Sequence, residues 1–288
     1  PMLIPENRTI SGVGLGLRRS MAGALSQGVP DAINFMEVAP ENWMGIGGKL
    51  IKTLEQAVAE VPLICHGLSL NLGGYTPLDT DFLKQLRIFL DRYEVEIYSE
   101  HLSYCGDDGH LYDLMPIPFT EEAVHHVVNR IQQIEDILQR PFVAENISYY
   151  AAAGSEMSEI EFVNAVLEES GCELLLDINN IYVNSVNHQY DATEYLNAIA
   201  GDRIRYLHVA GHYHEAPDLI IDTHGADIGD PVWQLLQQAY QLYGKVPTLL
   251  ERDFNIPPME TLLEEINQIH HYQDLAAVNN SAKEHHAA

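Results

Sequence analysis

The chain has 288 residues, 46% of them hydrophobic and 20% charged, the balance of an ordinary water-soluble globular protein, and no apolar run approaches the roughly 20 residues that span a bilayer. A formal charge of −27 with only 15 Lys and Arg argues against nucleic acid as a partner, because phosphates would be repelled and few cations are at hand to neutralise them. Three cysteines, Cys65, Cys105 and Cys172, are odd in number and widely spaced, which excludes a disulfide framework and a Cys-rich zinc site. Reduced, mostly buried thiols are expected. The first eleven residues show neither the basic nor the apolar stretch of a secretory signal, so a cytoplasmic location is expected.

Taken in chain order, short β-branched or apolar runs predict strands at 12–17, 34–38, 63–66, 96–101, 142–146, 173–177, 205–209 and 248–251. Between them, apolar residues recurring at three and four predict helices at 49–60, 81–93, 121–139, 158–170, 192–200, 231–243 and 259–272. Start signals agree: Thr120 precedes Glu121 and Glu122, Ser158 has Glu161 three residues on, and Asp230 precedes Pro231. Eight strand beats without a low-complexity linker predict an α/β fold of the (β/α)8 TIM-barrel kind, a single domain over 1–274, with an open doubly wound sheet as the alternative. Periodicity is lost over 275–288, which is expected to be a disordered tail. The Gly12, Gly14 and Gly16 spacing is not the dinucleotide fingerprint, and close strand packing is its simpler reading.

Barrel chemistry collects where strands end, and here the ends carry ligand types. They are Glu37 and Glu41, His66, Glu100 and His101, Glu145 and Asn146, Asp177 and Asn180, His208 and His212, then Glu251 and Asp253. Asp222 and His224, at i and i+2, would face one way if that stretch is extended. Any one buried histidine is more often a hydrogen-bonded core residue than a ligand. Strands that run apolar through their bodies and end in His or carboxylate are harder to attribute to structure, because unpaired buried charge is costly and cations would offset it. His66, His101, His208 and His224 with Glu145, Asp177, Asp222 and Glu251 form an N/O set without thiolate, suited to iron, manganese or zinc. The set exceeds the needs of one ion, so a multinuclear centre is expected, with Glu145 or Asp177 as bridge. His125, His126, His270, His271, His285 and His286 read as solvated surface, and Cys65, next to His66 in a strand, should point to the opposite side.

Seven motifs in order carry a resemblance: His-Gly-Leu-Ser-Leu-Asn at 66–71, Ser-Glu-His-Leu-Ser-Tyr at 99–104, Ala-Glu-Asn-Ile-Ser at 144–148, Leu-Asp-Ile-Asn-Asn at 176–180, His-Val-Ala-Gly-His at 208–212, Asp-Thr-His-Gly at 222–225 and Glu-Arg-Asp at 251–253. The chain resembles the multinuclear non-haem iron-dependent oxidative enzymes, catalogued as domain-of-unknown-function family 692. The resemblance implies a TIM barrel with two or three iron ions on its rim and dioxygen as co-substrate. It implies one iron on His66, His101 and Glu145, a second on Glu145, Asp177, His208 and Glu251, and a third position at Asn180, His212, Asp222 and His224. It further implies oxidation of cysteine residues in a ribosomally made precursor peptide, with a small partner protein delivering the peptide. Asp253 is a candidate proton-transfer residue, with a salt bridge to Arg252 or another cation as the competing role. The reading that competes with an oxidase is a divalent-metal hydrolase or sugar isomerase on the same kind of barrel.

Overall fold

The computed structural model describes residues 9–105, 114–151 and 154–287, with side chains described as far as residue 278. Its strands in chain order are β1 (Val13–Gly16), β2 (Phe35–Val38), β3 (Leu63–His66), β4 (Tyr98–His101), β5 (Ser103–Tyr104), β6 (Met115–Pro116), β7 (Phe142–Glu145), β8 (Glu173–Asp177), β9 (Ile204–Val209), β10 (His212–Ala216), β11 (Leu219–Asp222) and β12 (Thr248–Leu250). Eight of these close into a parallel barrel in the order β1-β12-β9-β8-β7-β4-β3-β2, which settles the choice against an open sheet. The other four form two antiparallel pairs, β5 with β6 and β10 with β11.

Around the barrel lie α1 (Gly48–Glu60), α2 (Thr80–Arg92), α3 (Glu121–Leu138), α4 (Glu159–Ser170), α5 (Ile178–His188), α6 (Ala192–Ala198), α7 (Asp230–Tyr243) and α8 (Met259–Ala287). The caps read from sequence form: Thr120 accepts from the Ala123 amide, and Ser158 with Glu161 makes a complete capping box. Pro231 stands in the first turn of α7. The β1–β2 connection has two short 3-10 turns, Arg19–Ala22 and Ala24–Gln27, where the other crossovers carry an α-helix. The helix α8 runs to Ala287, across the segment 275–288 where the apolar period is lost. Ala276 is buried, so packing against the barrel carries the helix past the point where its apolar period fades. Among the described residues no helix is long and apolar enough to cross a membrane.

Strand alternation builds two layers inside the barrel. The inner apolar plug is Phe35, Ile64, Ile97, Val143, Leu175, Tyr206 and Leu249, which pack together with Ile10. Two residues further along each strand direction stand Glu37, His66, Ser99, Glu145, Asp177, His208 and Glu251, all buried. Period two therefore stacks a polar layer directly above a hydrophobic floor. Cys65, out of phase with His66, joins the larger core between strands and helices. All three cysteines are free and buried.

Candidate metal centre

Each histidine of the polar layer is anchored by one ring nitrogen and faces the centre with the other. His66 Nδ1 lies 2.8 Å from Ser99 Oγ, and its Nε2 lies 2.9 Å from Glu145 Oε2. His101 Nδ1 is 2.9 Å from Glu100 Oε1, leaving Nε2 3.3 Å from Glu145 Oε2 and 3.1 Å from His66 Nε2. His208 Nε2 is 2.9 Å from Glu37 Oε2, and Nδ1 lies 3.2 Å from Glu251 Oε2 and 3.8 Å from Asp177 Oδ2. His224 Nε2 is 2.7 Å from Asp222 Oδ1, while its Nδ1 is 3.2 Å from Glu251 Oε2.

A hydrogen-bond chain beneath the centre fixes two of these orientations. Tyr206 donates to Glu37 Oε2 at 2.8 Å, so Ser99 Oγ, 2.7 Å from the Tyr206 hydroxyl, is the donor there. His66 Nδ1–H then donates to Ser99, and His208 Nε2–H donates to the same Glu37 oxygen, Oε2, that accepts from Tyr206. The competing contact of Ser99 to the Cys65 carbonyl is longer, at 3.4 Å. With neutral rings, the lone pairs of His66 Nε2 and His208 Nδ1 both face the centre, as carboxylate- or hydroxyl-anchored ligand histidines do.

The inward atoms lack partners. Glu145 Oε2, Asp177 Oδ2, Asn180 Oδ1, His208 Nδ1 and Glu251 Oε2 are buried without an acceptable hydrogen bond. Two compact groups, His66 with Glu145 and His208, and Asp177 with His224 and Glu251, have ligand atoms within 4.8 Å of one another. Five orphaned buried N and O atoms in one place are far from the native norm, and donors 2.9–3.3 Å apart have the spacing of neighbours around a cation bonded at about 2.1 Å. The residues fit a metal centre of nitrogen and oxygen ligands.

Electrostatics point the same way. Burial alone would raise the Glu145 carboxyl, but His101 and His66 outweigh it and hold it at about 2. Glu251 is likewise forced below the carboxylate range against burial by His224 and His208. Burial disfavours charged His101, yet Glu145 and Glu100 raise it to about 9, and His208 and His224 are raised by their own carboxylates. Asp177 is pushed up by burial and by Glu145. Without a cation, protons on histidines neutralise the carboxylates; a bound cation would displace them.

The sequence-predicted residues separate into those the fold gathers and those it does not. His66, His101, Glu145, Asp177, His208, His224 and Glu251 converge. Asn180 joins them at the start of α5, its amide donating to the Asn146 carbonyl at 2.9 Å while Oδ1 stays free. Asp222 reaches the group through His224, held by Ser148 Oγ at 2.9 Å and Asn179 Nδ2 at 2.9 Å. The stretch 222–224 is not extended: His224 has φ +50°, a left-handed turn that brings its ring back to Asp222. His212 does not join His224. Its Nδ1 bonds Asn179 Oδ1 at 2.8 Å, its Nε2 lies 3.2 Å from His214 Nε2, and burial together with His214 pushes it down to about 4. Asp253 pairs with Arg18 and, at 3.3 Å, with His224 Nδ1; Arg252 turns away to Asp227 and Glu265. His126 and His270, expected on the solvated surface, are half-buried and bond the carbonyls of Gly74 and Ala32, each at 2.8 Å. His285 and His286 lie outside the described side chains. Arg18, Ser99, Tyr206, Asn179 and His214 went unnoticed in the sequence. Strand period alone could have found Tyr206 and Ser99, since each shares a face with a named ligand.

Against known proteins, the family model described as RiPP precursor modification enzyme MbnB/TglH/ChrH matches residues 12–274. The chain belongs to this family. Among curated relatives of the family member, a UPF0276 protein of Shewanella sediminis is 62% identical, covering 91% of this chain and 94% of its own length. A UPF0276 protein of Pseudomonas aeruginosa is 51% identical, covering 93% and 94%. Solved structures of similar fold include D-psicose 3-epimerase from Clostridium cellulolyticum, TM-score 0.55 at 9% identity over 95% of this chain and 99% of that one. Endonuclease IV from Thermus thermophilus matches with TM-score 0.54 at 13% identity over 93% and 99%. At such identities the likeness is one of fold, the eight-stranded parallel α/β barrel.

Proposed function

We propose that this family member is a multinuclear non-haem iron oxidase that uses dioxygen to modify cysteine residues of a ribosomally made precursor peptide brought by a small delivery protein. The observation that carries the reading is the convergence of orphaned nitrogen and oxygen atoms over the apolar floor of the barrel, in a chain of a precursor-modifying family. His66, His101 and Glu145 would hold one iron, and Asp177, His208 and Glu251 a second, with Glu145 between them and His224, Asp222 and Asn180 completing the set or holding a third. His212 is the weakest member of that set, because Asn179 and His214 occupy both its nitrogens.

Iron bound there would supply one-electron chemistry with dioxygen and a soft-enough partner for a substrate thiolate. The chain's own residues orient and insulate. The Ser99–Tyr206–Glu37 chain keeps His66 and His208 in the tautomers that present lone pairs. The apolar plug excludes water from below. Asp253, 42% exposed at the mouth and shared between Arg18 and His224, is the group placed to move a proton between the centre and solvent.

The test is iron content and a Mössbauer spectrum of the reconstituted protein, followed by aerobic incubation with the cysteine-containing peptide encoded beside its gene and the delivery protein. A coupled iron pair and an oxygen-dependent change in peptide mass are expected. Full turnover with zinc or magnesium in the absence of oxygen would instead establish the hydrolase or isomerase chemistry.

A further inference from the structure

Beside the metal centre, outside the barrel, lies a second cavity of about 550 Å³ between α4, α5 and α6, within the range of about 300–1,000 Å³ usual for ligand sites. Tyr149, Tyr150, Tyr190 and Phe119 supply aromatic walls, and the ionisable side chains that line it are acidic: Glu159, Asp191 and Glu194, with His188 beside them and no Lys or Arg among the described residues. His188 is already engaged, bonding the Tyr149 carbonyl at 2.7 Å and stacking on the Tyr149 ring at 4.1 Å. Asp191 caps α6 through Oδ1.

Glu159 is the unexplained group. It is buried at the first turn of α4, takes two long hydrogen bonds on Oε1 from Asn184 and Tyr195, each at 3.4 Å, and has no partner on Oε2. A buried carboxyl oxygen without a donor is costly unless something else visits it. Nothing in the metal centre uses it.

The cavity is tied to the centre by one loop. Tyr150, on its wall, accepts from the Asp222 amide at 3.3 Å, and Ser148, two residues earlier, donates to the Asp222 carboxylate at 2.9 Å. A peptide lying across that loop would reach the centre with one residue and the cavity with another.

We propose that this cavity is a subsite for a basic side chain of the precursor peptide, an arginine or lysine near the residue presented to the metal centre. The assignment rests on the peptide-modifying reading above. Aromatic faces and acidic groups together form the environment that attracts a guanidinium or ammonium, and the strongly acidic chain adds a long-range field of the same sign. Burial outweighs the hydrogen bonds on Oε1 and leaves the Glu159 acid raised to about 8. A cation arriving in the cavity beside Glu159 would favour its ionised form, so binding should tighten between pH 7 and 9 as the proton becomes easier to release.

The experiment is calorimetric titration of the full chain, iron-loaded and iron-free, with Nα-acetyl-arginine methylamide and its neutral isostere, Nα-acetyl-citrulline methylamide. Arginine should bind about ten-fold tighter than citrulline. That preference should fall away in Glu159→Gln and in the surface variant Glu194→Lys, with a cooperative melting transition and iron content preserved. Equal affinity for the two probes, no binding of arginine, or a preference that survives both substitutions would overturn the subsite. Because the titration needs no turnover, arginine selectivity in a chain that modifies no peptide would count against the oxidase reading and leave the cation site standing.

Discussion

Glu145 is the residue shared by His66 and His101, the two histidines proposed for the first iron, with its Oε2 2.9 Å from His66 and 3.3 Å from His101. Glu145→Gln keeps the shape and removes the charge, and is expected to lower iron to at most one ion per chain and abolish peptide modification; metal analysis after reconstitution checks it. Tyr206→Phe removes one hydroxyl that no metal would touch. It should cost about 1–3 kcal/mol of stability, because Glu37 and Ser99 lose a buried partner. Freed of that constraint, His208 and His66 should bind metal roughly 10–100-fold more weakly. Full iron affinity in Tyr206→Phe would show that the hydrogen-bond chain does not govern ligand orientation. Glu159 gives a pH signature. Its acid is raised from an ordinary 4.5 to about 8, so the folded state favours the proton; the stability it contributes is complete below 4.5 and is lost as pH rises through 8. Glu159→Gln imitates the neutral acid, so its melting temperature should lack the decline that the parent shows over that window.

Among elements, the eight barrel strands were legible because each is a short apolar run and most end in a ligand type, and β3 and β8 fall where the sequence places them. The helix α5 was not, since its Ile-Asn-Asn start reads as loop; what makes it a helix is Asp177, whose carboxylate accepts the Asn180 amide at 2.7 Å while the other oxygen faces the centre. The hairpin β10–β11 was also missed. It brings Asp222 opposite His212 and delivers His224, whose amide donates to the Gly211 carbonyl at 3.1 Å. A side chain at Gly211 would overlap the Ala226 carbonyl and come within 2.6 Å of the Asp227 carbonyl oxygen, both rigid backbone. Gly211→Ala should therefore displace the hairpin at a cost of about 1–3 kcal/mol and reduce occupancy of the Asp177, His224 and Glu251 group. The His66, His101 and Glu145 group should retain its iron, which separates a local effect from unfolding in the same metal measurement.

At the scale of the molecule, the barrel holds several carboxylates in a space whose charge must be balanced by protons or cations. Iron binding to the folded chain alone should raise the melting temperature in proportion to the logarithm of iron concentration over its dissociation constant, and chelation should reverse it; an unchanged melting curve would sink the multinuclear reading. The sequence by itself determined the barrel and most of the polar residues that converge at its rim, because strand period and residue type are local properties that repeat eight times along the chain. Which of these side chains sit within reach of one another, that His212 turns to His214, that Arg18 and not Arg252 holds Asp253, and that Tyr206 and Glu37 join two histidines were decided only by tertiary structure. Those pairings join residues as far apart as 235 positions, Arg18 to Asp253, and 171 positions, Glu37 to His208, and closure of the barrel is what sets them side by side.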